Sequence, residues 1–142
     1  MAKGYAMDIH HDPYEHHAYN AQIQDHFFNP RNVGTLPRDN PNVGTAQVGS
    51  IESGALLQLQ LQFDISGKIT LSRFKAYGCG ATIASASWLT ETLKGKQIEQ
   101  VLAIRSREVQ QALALPAAKL HCAMLAQDAV SAAVADYQHK QE

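Results

Sequence analysis

Tyr77-Gly78-Cys79-Gly80-Ala81-Thr82-Ile83-Ala84-Ser85-Ala86-Ser87 is the stretch on which the reading of this chain turns. Before it, Ile69 to Ala76 is β-like; after it the residues become small and helix-compatible. A cysteine therefore sits between two glycines at a strand-to-helix junction. Glycine on both sides removes side-chain bulk and lets another group come close to the sulfur. A helix starting here would aim its unpaired N–H groups and positive dipole end at that sulfur, favouring thiolate over thiol. The one other cysteine, Cys122, follows directly after His121. What these three side chains do together is the chemical question.

Working outward, Leu57, Leu59, Leu61 and Phe63 alternate with Gln58, Gln60 and Gln62. This period of two predicts a strand with one buried and one wet face. Asp64-Ile65-Ser66-Gly67 turns the chain, and 69–76 returns with Ile69, Leu71 and Phe74 inward. Thr45 to Ile51 is a third, weaker strand, joined through the turn Glu52-Ser53-Gly54-Ala55. Together these form an antiparallel meander with one face that needs cover.

Downstream the period becomes helical from Cys79 to Leu93, with Ile83, Ala86, Leu89 and Leu93 near one stripe, and Lys94-Gly95 ends it. Ile98 to Ile104 and Ser106 to Leu113 read as short helices, the second with Ser106 as N-cap and Val109 and Leu113 inward. Leu115-Pro116-Ala117-Ala118-Lys119 breaks the pattern. A last helix runs from about Leu120 to Gln138, with Met124, Ala129 and Val130 as core contacts. Upstream, Tyr14 to Phe28 reads as a helix with Tyr19, Ile23 and Phe27 on one face, stopped by Asn29-Pro30. A loop follows from Arg31 to Val43. Strands first and helices after imply an α+β domain: a three-stranded antiparallel sheet with helices packed on it.

The division expected is a flexible N-terminal arm over 1–17 and one domain over 18–142, enough chain for an ordinary core. His10-His11 and His16-His17 belong to the arm; the alternative is a metal-binding tail that lends a ligand to a nearby site. The composition, 45% hydrophobic and 18% charged, is that of a soluble globular protein. A net charge of −1 gives no electrostatic case for nucleic acid or an anionic membrane. No apolar run approaches the roughly 20 residues of a spanning helix, and the N-terminus has no apolar core of a secretory signal. Two free thiols in a reducing cytoplasm are the expectation.

Cys79 and Cys122 are far apart in sequence and form no CxxC pair, yet each lies at or near the start of an expected helix. If both helices cover the same sheet face, the two sulfurs and the His121 imidazole converge. Thiolate with imidazole suits zinc, iron in iron–sulfur clusters, or copper(I). One alternative is two buried cysteines serving as small apolar residues. Another is a Cys-His nucleophilic pair, for which helix neighbours about 100° apart leave His121 poorly placed to deprotonate Cys122.

Four stretches in order carry a resemblance: Asp25-His26-Phe27-Phe28-Asn29-Pro30-Arg31-Asn32-Val33-Gly34, Phe74-Lys75-Ala76-Tyr77-Gly78-Cys79-Gly80, Leu115 to Cys122, and Ala126-Gln127-Asp128-Ala129. With them the chain, from about Tyr19 to its end, resembles the IscU/NifU N-terminal family of iron–sulfur cluster assembly scaffolds. The resemblance implies the family's α+β fold and a scaffold or carrier that is no enzyme. A cysteine desulfurase supplies persulfide sulfur, iron and electrons arrive (the latter from a ferredoxin), and a labile [2Fe-2S] cluster passes to apo-acceptor proteins. The family site holds three cysteines, an aspartate and a histidine. Cys79, His121 and Cys122 match the second cysteine, the histidine and the third cysteine. The first cysteine falls on Ser53 and the aspartate on Ala55, leaving two sulfurs and one nitrogen per chain.

A [2Fe-2S] cluster wants four strong ligands. A cluster-bridged homodimer supplies four thiolates from Cys79 and Cys122; in a monomer, Glu52, Ser53 or an N-terminal histidine would complete a mononuclear zinc or iron site. The other readings are a divergent paralogue that binds or regulates the desulfurase without building clusters, and a fold stabilised by zinc. If the family aspartate keeps the cluster labile, Ala55 should give one less easily released. The family's Leu-Pro-Pro-Val-Lys segment, bound by an Hsp70 with its J-type co-chaperone, is matched at Leu115, Pro116 and Lys119. Ala117 removes the second proline and weakens the preformed extended conformation; a helix-breaking linker is the alternative. Tyr19 matches a family tyrosine implicated in dimer formation, with a core or surface aromatic as the alternative.

Overall fold

The computed structural model describes residues 19–142. The arm with its four histidines, and the first part of the expected opening helix, lie outside the described residues. The first helix of the described residues, α1, spans Ala21–Phe28, a later start than Tyr14 for the helix that ends at Phe28. Asn20 fixes that start: its side-chain oxygen accepts from the Ile23 N–H at 3.0 Å, satisfying one orphan donor of the first turn. The same amide donates to the Leu113 carbonyl at 2.8 Å and so ties α1 to a helix near the other end of the chain.

Strands β1 (Val43–Ser50), β2 (Ala55–Phe63) and β3 (Ile69–Tyr77) form one antiparallel sheet in the order β1-β2-β3. Helix α2 (Gly80–Leu93) follows, then α3 (Ile98–Leu102), α4 (Ser106–Leu113), a 3-10 turn over Ala117–Lys119, and α5 (Leu120–Lys140). This is the expected α+β architecture. Leu57, Leu59, Leu61 and Phe63 enter the core, where Ile83, Leu89 and Leu93 of α2 and Ala126, Ala129, Val130 and Ala133 of α5 meet them. Each such leucine contributes on the order of 2 kcal/mol by leaving water. A smaller cluster under α1 and α4 gathers Tyr19, Ile23, Val109, Leu113, Leu115 and Cys122.

Several positions differ from the sequence reading. Gln60 is buried rather than wet. The loop before β1 folds over it, and its amide accepts from the Leu36 N–H (2.7 Å) and donates to the Leu36 carbonyl (2.8 Å) and Thr45 Oγ1 (3.0 Å). Leu71 is only half-buried and Ser72 takes the inward place, its hydroxyl donating to the Thr90 carbonyl at 2.6 Å. A bulge is the cause: Gln62 pairs with Leu71 but Phe63 pairs with Ile69, so Thr70 is extra and the inward parity flips along β3. Met124 is exposed, not core, because the α5 stripe that meets the sheet is the alanine and valine one. Arg105, not Ser106, is the N-cap of α4; the Ser106 N–H donates to Gln127 Oε1 at 2.5 Å.

Both outer strands have partners beyond the sheet. Phe74 exchanges backbone hydrogen bonds with the Asn32–Gly34 segment, donating to the Asn32 carbonyl and accepting from the Gly34 N–H, both at 3.0 Å. Ile69 is paired with Gly95 and Lys96 at 2.8 and 2.9 Å. On β1, the Thr45 N–H donates to Asp136 Oδ2 at 2.8 Å, and Lys140 Nζ donates to the Val43 carbonyl at 2.7 Å. Helix α5 can lie this close because residue 44 is glycine: a Cβ there would come within 2.1 Å of the Ala133 carbonyl oxygen. Among the described residues no helix is long and apolar enough to cross a membrane.

Candidate metal centre

The register places three chain segments at one end of the sheet. Ser50 pairs with Ala55 and Leu56 with Tyr77, so the turn that carries Glu52 and Ser53 lies beside the Gly78-Cys79 junction. The closeness is direct: a Cβ on Gly78 would lie 3.3 Å from the Gly54 carbonyl oxygen. Cys79 is the N-cap of α2, where the unpaired N–H groups of the first turn gather. Cys122 is the third residue of α5, and this helix reaches the same corner behind the 3-10 turn. Gly80 leaves room for the ring of Tyr19; a Cβ there would come within 2.9 Å of it.

The two sulfurs converge. Cys79 Sγ and Cys122 Sγ are 3.8 Å apart as free thiols, Cys79 half-buried and Cys122 buried. The His121 ring, itself exposed, reaches Cys122, with Nε2 lying 3.6 Å from its Sγ. Adjacency on the helix therefore does not keep imidazole and thiol apart, which corrects the expectation from the 100° rotation.

The pair shares its protons unequally. Cys79 is held well below the ordinary thiol range, chiefly by the hydrogen bond from Cys122, then by Thr82 and by the positive charge of Lys119, against the effect of burial. Cys122 is pushed up by that same hydrogen bond and by burial. The half-buried Cys79 is thus the more readily ionised sulfur and the buried Cys122 the less. An ordinary thiol of pKa near 8.5 is only roughly 0.3% ionised at pH 6. A lowered pKa keeps the reactive form as pH falls, so Cys79 should be alkylated by iodoacetamide at pH 6 at a rate close to that at pH 8, with Cys122 unlabelled. Mass spectrometry of the modified peptides reads this directly, and a rate that drops tenfold per pH unit below 8 would overturn it.

The remaining expected site residues are placed as follows. Ser53 Oγ closes its own turn, donating to the Ser50 carbonyl at 2.9 Å and accepting from the Ser50 N–H at 3.3 Å. Glu52 is exposed in the same turn, and Ala55 offers no donor atom. Leu115 is buried in the smaller core cluster, whereas Pro116 is exposed and Lys119 half-buried. Tyr19 is buried in that cluster too. Among the described residues, no three histidine, cysteine, aspartate or glutamate side chains form a ready-made metal cage. Thr82, which the sequence reading passed over, stands against both sulfurs, 3.5 Å from Cys79 and 3.4 Å from Cys122.

A family model described as NifU-like N terminal domain matches residues 18–142. This chain belongs to that family. The NifU-like domain here is 48% identical over 124 residues to the iron-sulfur cluster assembly scaffold protein IscU of Haemophilus influenzae, covering 87% of this chain and 98% of that protein. It is 47% identical over 124 residues to iron-sulfur cluster assembly protein 3 of Arabidopsis thaliana, covering 87% of this chain and 72% of the relative. Among solved structures, the N-terminal part of a nitrogen-fixing NifU-like protein from Brucella abortus superposes with a TM-score of 0.64 at 18% identity, over 85% of this chain and 94% of that one. That likeness extends the NifU-like assignment to the fold: three antiparallel strands with the helices packed on them.

Proposed function

We propose that this chain is an iron–sulfur cluster assembly scaffold, a carrier and not an enzyme, whose cargo is held at Cys79, Cys122 and His121. The observation that carries the reading is the 3.8 Å approach of two free sulfurs at one end of a NifU-like domain. Two sulfurs at that distance, one of them with a lowered pKa, suit soft and borderline metals and have little value to a core that needs only small apolar residues. Cys79, facing the solvent side, is the first donor met by incoming iron. Cys122 sits behind it and must release its proton on binding, and the exposed His121 ring is placed to take that proton or to become a third donor.

The donor set of one chain is incomplete for a [2Fe-2S] cluster, which takes four strong ligands. Ser53 is committed to its turn and Ala55 is apolar, so the fourth corner comes from outside this constellation. A homodimer meeting at the Cys79 end supplies four thiolates; Glu52, or a histidine of the arm, instead gives a mononuclear iron or zinc site. With no carboxylate at residue 55, a cluster once formed leaves slowly for an apo-acceptor. Sulfur comes from a cysteine desulfurase and electrons from a ferredoxin. A chaperone of the Hsp70 class reads Leu115 to Lys119 only after Leu115 leaves the core, since that side chain is buried in the closed fold.

A second reading is favoured by the same gap at Ser53 and Ala55: a module that engages the desulfurase and carries no cluster. Anaerobic reconstitution with ferrous iron, sulfide and thiol, followed by visible absorption, metal analysis and size exclusion, separates the two. Coloured protein with one cluster per two chains is the expected result. Colourless protein that still binds the desulfurase would establish the second reading, and stoichiometric zinc without colour would leave only a zinc-stabilised fold.

A further inference from the structure

We propose that Thr82 is a positioning residue for the sulfur pair: its single hydroxyl, shared between Cys79 Sγ and Cys122 Sγ, orients both sulfurs toward a thiophilic metal. The proposal rests on the reading of Cys79 and Cys122 as donors to the cargo. Thr82 occupies the third position of α2, one turn from the N-cap sulfur, and is buried. Its Oγ1 lies 3.5 Å from one sulfur and 3.4 Å from the other, while the sulfurs themselves are 3.8 Å apart. The three heteroatoms make a nearly equilateral triangle. A hydroxyl has one proton to give, and from this apex it can give it to either sulfur without moving its backbone.

The backbone around the triangle makes room for it. A Cβ on Gly78 would stand 3.0 Å from Thr82 Oγ1 and 3.1 Å from Thr82 Cβ, so glycine there is what allows the threonine to fold over the junction. The Thr82 N–H donates to the Cys79 carbonyl at 3.0 Å, which fixes the residue in the first turn. Its side chain is therefore held by the helix and the hydroxyl faces sulfur, not solvent.

The chemical value of the position lies in the change of charge on loading. Before loading, an S–H proton lies between the two sulfurs, either of which can be its donor. When a divalent metal binds both sulfurs, that proton leaves and both become thiolates. A fixed donor reaching only one sulfur would have to be re-aimed; the Thr82 hydroxyl turns about its own C–O bond. Hydrogen bonding to a ligating thiolate also withdraws electron density from it, which shifts the energy of sulfur-to-metal charge transfer.

The test uses cobalt(II) as the probe, added anaerobically to the full-length protein and to Thr82→Ser, Thr82→Val and Thr82→Ala, with a competing chromophoric chelator to measure affinity. Wild type and Thr82→Ser should agree within about twofold, while Thr82→Val and Thr82→Ala bind about tenfold more weakly or worse, the range for loss of a supporting hydrogen bond. The thiolate-to-cobalt band of the valine and alanine variants should also move to lower energy, a signature that altered packing alone does not produce. Equal affinity and an unmoved band in Thr82→Ala would overturn the proposal, as would a serine variant as weak as alanine. If Thr82→Val fails to fold, the serine–alanine comparison decides. Wild type that binds no cobalt would instead overturn the donor reading beneath it, so the two failures are distinguishable.

Discussion

Cys79→Ser and Cys122→Ser, each reconstituted beside the wild type, should emerge nearly colourless, with retained iron down by at least about tenfold, because soft-metal sites depend on thiolate donors. The two residues are the whole cysteine complement of the chain, so no third sulfur can substitute. A serine hydroxyl is not ionised near neutrality and offers iron a hard, neutral oxygen where a soft anion is needed. Each variant also loses half of a coupled pair. A serine at 122 can still donate a hydrogen bond to Cys79, whereas Cys122→Ala removes the donor that chiefly lowers the Cys79 pKa and should slow the alkylation of Cys79 at pH 6 as well as bleach the protein. His121→Ala removes a single nitrogen donor at the exposed mouth of the site and should lose less iron than either serine variant. Full colour in both serine variants would place the cargo somewhere other than this pair.

Gly44→Ala should be among the most damaging single methyl groups that could be added to the fold. The added carbon would stand 2.1 Å from the Ala133 carbonyl oxygen and 3.0 Å from Tyr137 Cβ. Neither neighbour is a flexible tip; the first is main chain inside α5. To make room, α5 must lift from β1, which also disturbs the Asp136 and Lys140 bonds to Thr45 and Val43 and the stacking of Tyr137 on Phe63 at 4.0 Å. Overpacking against rigid neighbours costs about 3 kcal/mol, at the upper end of such substitutions. For a domain of this size that lowers Tm by roughly 10 °C, readable by circular dichroism. A Tm within two or three degrees of wild type would show that α5 can retreat at little cost. Gly54, where a Cβ would meet nothing within 4 Å, is a control for position, though its φ of +90° adds strain of its own.

Much of this arrangement is legible in the sequence wherever one residue type repeats at a regular interval. The leucines of β2 announce a strand with a buried face, and the change of period at Gly78-Cys79-Gly80 marks the start of α2 to within one residue. What the sequence does not disclose depends on neighbours brought from elsewhere. Gln60 looks solvated until the loop containing Leu36 closes over it, and Leu71 looks inward until one extra residue at Thr70 reverses the parity of β3. The late start of α1 had a visible signal in Asn20, a strong N-cap residue. At the site, the pairing of Cys79 with Cys122 follows from two helix starts that serve one sheet face. The Thr82 triangle has no sequence signature, because a threonine in the first turn of a helix is ordinary until both sulfurs are seen around it. Ser53 is the reverse case: the resemblance gives it a ligand's place, and local chemistry uses its hydroxyl to hold a turn.

A three-stranded sheet has one interior strand and two rims, which makes it unusually vulnerable to polymerising through unpaired backbone. Here Asn32–Gly34 and Gly95-Lys96 lie along one rim, and Asp136 and Lys140 clasp the other. With Val43 and Thr45 engaged on one rim and Ile69 and Phe74 on the other, an incoming chain finds fewer free backbone groups on which to extend the sheet. The sheet is, in effect, partly insulated along both of its sides.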